Sequence, residues 1–400
     1  MTNIYAVLEI GTSRTVLAVG EVETGQRLKV TCHAEIPSSG VRKSQIFDIA
    51  QAAQSVRSVL KEIERSQLAN GNSITIGNAF LVVSGQHIKA DEFQGTAQIA
   101  RQTVSNEDLE EVSRSARSMP LPRERELLDI VERAYSVDEF GGIASPKGIA
   151  GRILKLDTLQ IHAEANRIND ARTAAGEAHL ELRDPLFAAT CAADAVLTEA
   201  ERNEGAMVLD LGGGSTGYAI YKSGFLAATG VIGVGGDHIT NDIATAFQTT
   251  QAQAEAMKIS EAYAVLGRAG VEPRVQVPGA TPLMERRTVS RNALDTVVNA
   301  RCSELVGILR SILEDVGLLH RLHAGVVLTG GGAALAGLDT LVRRELGTEV
   351  RTGTPLHVDG LAELPNAAAF AAISGALMYA HRNYEEKSFF QSIFGGLMKK

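Results

Sequence analysis

The chain contains no tryptophan, only 4% aromatic residues and three cysteines among its 400 residues. Cys32, Cys191 and Cys302 stand far apart, so they form neither a metal-binding motif nor a disulfide framework, which suits a reducing cytoplasm. No apolar run approaches the roughly 20 residues that span a bilayer, and the N-terminus enters a strand pattern without a signal peptide. We therefore expect a cytoplasmic protein that, if it meets a membrane, lies on its surface.

An excess of basic residues is also absent. The chain has 47 acidic and 39 basic residues and a net charge of -8, which argues against nucleic acid as the main partner. Its 9 histidines show no zinc-binding spacing. The 44% hydrophobic content is ordinary for a globular protein, and 400 residues exceed one usual core, so two or more domains are expected.

Three apolar strands each end in a glycine-rich turn. Two of them continue into a second strand and so predict hairpins, whereas the third leads into a helix. In chain order the predicted pieces are strands 4–10 and 15–21 around turn 11–13, strands 206–210 and 218–221 around turn 212–216, and strand 325–329, turn 330–332 and a helix near 338–345. This weak internal repeat is the main structural clue.

The sequence between the two hairpins has a different texture. Residues 85–162 are richer in charge, contain the break Pro120–Pro122 and carry a helix near Asn106–Arg117 that Ser105 caps, with Asp108 three residues on. We interpret this stretch as an inserted subdomain. The other predicted elements before it are a strand at 28–36, a helix at 49–66 and a strand at 78–84.

Glycine-rich turns of this kind suit phosphate. Glycine brings backbone N–H groups close to a ligand because no Cβ intervenes, and successive N–H groups form a nest for anions. Two facing hairpins can clamp a triphosphate, while a turn at a helix N-terminus can accept a phosphate or present backbone to a base. The predicted binding residues of the turns are Gly11, Thr12, Ser13, Gly212, Gly213, Gly214, Ser215, Thr216, Gly330, Gly331 and Gly332.

The last fourteen residues, 387–400, have helical apolar spacing and a charge of +3 from Lys387, Lys399 and Lys400. Such a basic, aromatic-rich amphipathic helix suits a membrane surface with anionic lipid. The alternative is a last helix docked on the protein's own core. The residues predicted to contact the membrane are Phe389, Phe390, Ile393, Phe394, Leu397, Met398, Lys399 and Lys400.

The three turns resemble those of the actin, Hsp70 and sugar kinase superfamily: two phosphate loops and an adenosine motif. Within it, the chain resembles the FtsA family of bacterial division proteins over essentially its whole length. Segments 83–89, 119–122 and 233–244 carry this likeness, together with the insertion and the tail. The resemblance implies an α/β, actin-like two-lobed ATPase fold with an FtsA-type 1C insertion and a C-terminal amphipathic helix.

The resemblance also implies subdomain ranges. They are 1–82 and 338–386 for 1A, 83–164 for 1C, 165–228 and 315–337 for 2A, 229–314 for 2B, and 387–400 for the membrane-targeting tail. Most relatives have a long linker before that tail, whereas here only His381–Glu386 separate it from the preceding helix. Six residues reach at most about 20 Å when extended, so the body is expected to lie close to the membrane.

Several site residues follow from the resemblance alone. Asp210 matches the carboxylate that positions Mg²⁺ through water, and Asp184 matches an acidic position near the metal and the attacking water. Glu304 resembles a ribose-contacting glutamate, and Gly235 with Gly236 falls in an FtsA-like segment that we expect to bind the cofactor. The implied cofactors are ATP and Mg²⁺, which favours one or two carboxylates plus phosphate oxygens.

Two residues depart from the family pattern. Glu9 stands where relatives usually have Asp in the first loop, and Gly217 stands where many have a second Asp after the glycine turn. Backbone nests for binding remain, but phosphoryl transfer depends on placed charge and an oriented water. We therefore expect ATP binding with slow hydrolysis or none.

FtsA-like proteins are implied to polymerise as actin-like filaments on the inner face of the cytoplasmic membrane at the division site. They tether FtsZ by binding its C-terminal tail through subdomain 2B, where Arg301 is the residue expected to grip the acidic peptide. An alternative is a cytoplasmic adaptor of the type IV pilus class, PilM-like, which has a similar fold and insertion and needs no amphipathic tail. A sugar kinase, an Hsp70-like ATPase and an MreB-like filament are further rivals.

Overall fold

The computed structural model describes residues 3–22, 27–69, 71, 74–268, 272–277 and 287–394, with the backbone alone for residue 3 and for 384–394. The first part contains β1 (Asn3–Ile10), β2 (Arg14–Val22), β3 (Leu28–Pro37), β4 (Val41–Arg42), β5 (Gln45–Ile46), α1 (Ile49–Ala69) and β6 (Asn78–Val83). Next come β7 (Lys89–Gln98), α2 (Asn106–Arg117), β8 (Arg125–Val137), β9 (Phe140–Ile143), β10 (Ile153–Glu164), α3 (Ala165–Glu177), β11 (Glu181–Phe187), α4 (Ala188–Val196) and α5 (Glu199–Glu204).

The second half contains β12 (Ala206–Leu211), β13 (Thr216–Lys222), β14 (Phe225–Ile232), α6 (Gly236–Ala246), α7 (Gln251–Ser260), β15 (Arg274–Val277), β16 (Arg287–Ser290) and α8 (Arg291–Asp315). It ends with β17 (Gly325–Thr329), α9 (Leu338–Leu346), β18 (Val350–Thr352), β19 (Val358–Asp359) and α10 (Ala371–Phe394). Short 3-10 helices cover Gly331–Ala334 and Ala367–Phe370. Among the described residues, none of the helices combines the length and apolar character that crossing a bilayer requires.

Two sheets carry the predicted repeat. The first has the strand order β11-β6-β1-β2-β3-β19 and the second β14-β13-β12-β17-β18. In each, a hairpin strand pairs antiparallel with its neighbour on one side and parallel with a later strand on the other: β1 between β2 and β6, and β12 between β13 and β17. The parallel strands bring the carboxyl ends of β1, β6, β12 and β17 toward the interior of the molecule, where the two halves meet.

The insertion forms a sheet of its own, in the order β7-β10-β8-β9, covered by α2. Val112 and Ala116 of α2 pack into a small core with Leu154 and Leu156. The helix begins after Ser105, whose hydroxyl accepts from the Asp108 amide while the Asp108 carboxylate accepts from the Ser105 amide, as a capping box requires.

Two parts of the fold differ from the predicted subdomain ranges. α3 and β11 lie with the first sheet, because β11 pairs in parallel with β6, although residues from 165 on were assigned to 2A. α9 and β18 lie with the second sheet, because β18 pairs with β17 and the apolar face of α9 is buried in the second core, although residues from 338 on were assigned to 1A. Pairing partners far apart in sequence decide both placements.

The C-terminal helix also differs from expectation. α10 runs without interruption from Ala371 to Phe394, so the predicted linker His381–Glu386 is helical. At about 1.5 Å per residue it spans about 9 Å instead of 20 Å. No glycine or proline falls between residues 376 and 394 to stop the helix. Leu397, Met398, Lys399 and Lys400 lie outside the described residues.

Candidate functional site

A cavity of about 740 Å³ lies between the two halves, and all three glycine turns line it. Thirteen of the fourteen residues that we predicted to bind the cofactor stand in its wall, the exception being Glu304. Gly235 and Gly236, at the start of α6, complete the wall. The sequence therefore brings together residues that are more than 300 positions apart, because each turn ends an inner strand of a sheet.

The two hairpin turns are built alike. The Gly11 amide donates to the Arg14 carbonyl and the Gly212 amide donates to the Ser215 carbonyl. The N···O distance is 3.0 Å in both bonds. A Cβ on Gly11 would stand 2.8 Å from the Arg14 oxygen, and one on Gly212 would stand 2.9 Å from the Ser215 oxygen. Both turns thus depend on glycine for a close approach of backbone to backbone.

The third turn closes around the second hairpin. Gly330 has φ of 77°, and a Cβ there would lie 2.6 Å from Asp210 Oδ1 and 2.7 Å from the Leu211 amide. The turn leads into the 3-10 helix Gly331–Ala334, and α9 begins only at Leu338. The predicted helix is therefore preceded by a short tight turn whose three glycines line the cavity.

Two acidic residues stand at the ends of the central strands, Glu9 on β1 and Asp210 on β12, and both line the cavity. Burial raises the pKa of Glu9, and burial together with the charge of Glu9 raises the pKa of Asp210 to about 7. The guanidinium of Arg14 opposes both shifts. Arg14 is itself held by Glu35, by the Ala369 carbonyl and by the Phe370 ring, 4.9 Å away.

This donor set fits a magnesium ion. Mg²⁺ prefers one or two carboxylates, with phosphate oxygens and water completing its shell. Two neighbouring carboxylates that repel each other in a buried site are stabilised when a cation lies between them. Glu9 and Asp210 provide such a pair beside the glycine turns, which would hold the phosphates.

Three predicted site residues are placed elsewhere or differently. Asp184 is exposed on β11 at the edge of the first sheet and does not line the cavity. Glu304 is also outside the wall and accepts from Arg301. Arg301, predicted to bind a partner peptide, lines the cavity, and Asp242 holds its guanidinium through contacts of 2.7 and 3.0 Å. The packing of α8 against α6 sets this direction.

Gly217, where the resemblance led us to expect a carboxylate, does not line the cavity. A Cβ at this position would stand 2.9 Å from the Cβ of Ala189 on α4. Its neighbour Thr216 points the other way, donates to the Val234 carbonyl over 2.7 Å and lines the cavity. Position 217 in this chain is therefore a packing contact between β13 and α4.

Sequence reasoning missed several cavity residues. Lys258 on α7 donates to the Gly236 carbonyl and to Thr240, and pairs with Glu255 over 2.7 Å. Ser44, in the turn between β4 and β5, also lines the cavity. The Glu255–Lys258 spacing of three residues is a visible helical signal, but nothing in the local pattern says that this face meets the glycine turns.

These features define a protein with an actin-like fold and an inserted subdomain. Among solved structures, the PilM-PilN type IV pilus biogenesis complex matches with a TM-score of 0.63 at 18% identity, over 94% of this chain and 98% of that one. MreB 5 of Spiroplasma citri bound to AMPPNP matches with a TM-score of 0.54 at 14% identity, over 98% and 99%. At these identities the likeness concerns the fold.

The sequence comparisons narrow the class to one family. The model of the cell division protein FtsA matches residues 207–375, and the model of the SHS2 domain inserted in FtsA matches residues 85–162. The cell division protein FtsA of Escherichia coli strain K12 is 31% identical, over 94% of this chain and 90% of the relative. FtsA of Pseudomonas aeruginosa is 32% identical, over 93% and 88%. The chain belongs to the FtsA family of cell division proteins.

Proposed function

We propose that the protein binds ATP with Mg²⁺ in the cavity and, in that state, assembles into actin-like filaments that attach FtsZ to the membrane at the division site. The observation that carries the proposal is the cavity lined by all three glycine turns, with the carboxylates of Glu9 and Asp210 at the ends of the two central strands. Solved structures of the MreB 5 relative in the fold, bound to ADP and to AMPPNP, support nucleotide as the ligand.

Each wall of the cavity has a part in this binding. The amides of the two hairpin turns would hold the phosphates, while Glu9 and Asp210 would hold Mg²⁺, which supplies positive charge to the phosphate oxygens. α7 contributes Glu255 and Lys258 and α8 contributes Arg301, whose polar groups suit the hydroxyls of a ribose and the edge of a base. Lys258, Glu255 and Arg301 are each held by polar partners within the protein before any ligand arrives.

Hydrolysis is proposed to be slow or absent. An attacking water needs a carboxylate or similar group to orient it in line with the terminal phosphate. Asp184, which the family resemblance offered for this task, lies outside the cavity, and Gly217 points into α4. ATP then serves as a stable ligand that sets the arrangement of the two halves.

Membrane attachment is assigned to residues 387–400. The helical spacing of the apolar residues and the +3 charge suit anionic lipid on the inner membrane face. Because α10 continues through 381–386 to Phe394, the first part of the tail extends the last body helix, and we expect the body to lie close to the surface. A single short helix binds weakly, so many helices on one filament would bind through avidity.

The FtsZ tail is proposed to bind at 2B, as in the family, but without Arg301. That residue is bidentate to Asp242 and faces the nucleotide cavity. On the hairpin of β15 and β16, the exposed Arg274 and Arg287 donate to neutral partners, Thr288 and the Gln248 carbonyl. Their charges suit an acidic peptide, and replacing both with Glu is expected to weaken binding of an FtsZ C-terminal peptide.

The first experiment is co-sedimentation with anionic liposomes, with and without Mg-ATP, using the full chain and Phe390→Glu plus Phe394→Glu. Pelleting that ATP enhances and the double variant loses supports a nucleotide-gated tether. Gln391→Glu plus Ser392→Glu adds the same two charges on the polar side of the predicted helix, so it serves as the matched control. Equal pelleting of all three proteins would reject membrane attachment through the tail and favour an adaptor of the PilM type.

A further inference from the structure

A short hairpin lines the cavity beside its glycine turns. We call residues 41–46, which comprise β4, β5 and the two-residue turn Lys43-Ser44, the strap. Its base is fixed by Gly40, whose carbonyl accepts from the amides of Phe47 and Asp48. Its tip reaches both hairpin turns, so the strap is the one described element outside them that bonds to the first and the second turn at once.

The contacts of the tip centre on Ser44. Its amide donates to Thr12 Oγ1 over 2.8 Å, in the first turn. Its hydroxyl lies 3.0 Å from the hydroxyl of Ser215, in the second turn, which in turn lies 3.3 Å from the hydroxyl of Ser84 at the end of β6. Ser44, Ser84 and Ser215 therefore form a cluster of three hydroxyls on the cavity wall.

The tip holds an unfavourable backbone conformation to make these contacts. Lys43 and Ser44 have φ of 49° and 58°, the left-handed region that two-residue hairpin turns require and that Asn-Gly fills most easily. Residues in such conformations persist where the surroundings determine them, often at ligand sites. The second turn packs closely against this backbone, since a Cβ on Gly214 would stand 2.7 Å from the Ser44 amide nitrogen and 3.0 Å from Lys43 Cα.

The chemistry of the cluster suits an anion. Hydroxyls donate hydrogen bonds to phosphate oxygens, and bonds to a charged acceptor are stronger than bonds between neutral groups. We propose that the strap senses the terminal phosphate of a bound nucleoside triphosphate, with Ser44, Ser84 and Ser215 as its hydroxyl donors. This rests on the proposed nucleotide site. A diphosphate leaves the cluster bonded to itself, so the strap holds the two halves together most firmly around a triphosphate.

The test is calorimetric binding of ATP and of ADP, each with Mg²⁺, to the wild type, Ser44→Ala and Ser44→Gly. Both variants lack the hydroxyl, but only glycine adopts the positive φ without strain. A defect caused by backbone strain would therefore appear in Ser44→Ala and not in Ser44→Gly. Losing one hydrogen bond to a charged group is expected to weaken ATP binding about ten-fold in both variants, while ADP binding stays unchanged. Ser223→Gly relieves a φ of 53° in the remote turn between β13 and β14, and it is expected to change neither affinity.

Several outcomes would overturn the inference. If both Ser44 variants keep the wild-type ratio of ATP to ADP affinity, or if the wild type binds both equally, the strap is no phosphate sensor although the nucleotide site stands. If only Ser44→Ala is impaired, the strap acts through backbone shape and the hydroxyl site is wrong. A wild type that binds neither nucleotide rejects the nucleotide site and the sensor together.

Discussion

The two glycine-turn hairpins share one backbone design but present different surfaces to the cavity. The first turn has a single glycine and shows side chains, with Thr12 and Ser13 at its tip and Glu9 and Arg14 beside it. The second has three glycines in a row and is pressed against the first turn, the strap and the start of α6. A Cβ on Gly235 would stand 2.5 Å from the Gly213 carbonyl and 2.7 Å from that of Gly212. The first hairpin thus presents mainly side chains to the cavity, whereas the second presents mainly backbone, with Asp210 and Ser215 among its polar side chains.

The difference explains why the departures from the family pattern need not harm binding. A backbone wall keeps its N–H groups whatever side chains surround it, so the second hairpin does not need a carboxylate at 217. The cavity surface of the first hairpin can change by substitution, because Glu9 in place of Asp lengthens the side chain without altering the backbone of the turn. The predictions below test this division, from the largest expected effect to the smallest.

Restoring the family carboxylate with Gly217→Asp is expected to destabilise the fold by about 4 kcal/mol without raising ATP hydrolysis. The new side chain would be buried against Ala189 on α4, where a charge has no partner. Urea unfolding measures the loss. Gly217→Ala is the control, with a smaller cost from the 2.9 Å contact alone. A stable Gly217→Asp variant with faster hydrolysis would mean that position 217 faces the nucleotide.

Gly214→Ala is expected to weaken ATP binding about 100-fold, because its Cβ would stand 2.5 Å from Thr12 Oγ1 and 2.7 Å from the Ser44 amide. Overpacking of this kind costs about 1–3 kcal/mol, and here it would push the two turns apart. Gly213→Ala is the matched control, since its nearest atom, 3.1 Å away, is a side-chain oxygen of Asp237 that can move. Equal affinities of the two variants would contradict the backbone role of the second turn.

The sequence predicts a feature well when the residues that determine it lie within one short segment. The helix predicted near Asn106–Arg117 is confirmed, because its cap residues Ser105 and Asp108 lie within the segment. The glycine turns were found because each directly follows an apolar strand. Arg301 was assigned to a partner surface because its direction depends on Asp242, 59 residues away. Ser44 was missed because its partner Ser215 is 171 residues away and neither residue has a distinctive neighbourhood.

The buried side chain of His87, in the cavity wall, makes the stability of the protein depend on pH. His87 lines the cavity at 6% exposure, its ring nitrogens have no hydrogen-bond partner, and burial lowers its pKa from 6.5 to about 4. Between pH 4 and 6.5 the unfolded chain binds more protons at this residue than the folded chain does. The free energy of unfolding therefore decreases as the pH falls through this window, and above the window His87 causes no loss of stability. His87→Gln is expected to remove roughly 2 kcal/mol of this pH dependence in urea titrations. Parallel profiles for the two proteins would show that His87 titrates normally.

Asp210 belongs to both sides of this comparison. It ends a strand of the second hairpin, which presents mainly backbone to the cavity, but it contributes its side chain. Asp210→Asn keeps the shape and removes one of the two carboxylates proposed to hold Mg²⁺. We expect the gain in ATP affinity on adding Mg²⁺ to fall about ten-fold, close to 1.4 kcal/mol, while affinity in EDTA stays the same or rises because repulsion of the phosphates is reduced. Glu9→Gln is the partner variant in the side-chain hairpin. If Asp210→Asn lost affinity equally with and without Mg²⁺, the carboxylate would support the turn at Gly330, where a Cβ would stand 2.6 Å from Asp210 Oδ1, and Glu9 alone would be left to hold the ion.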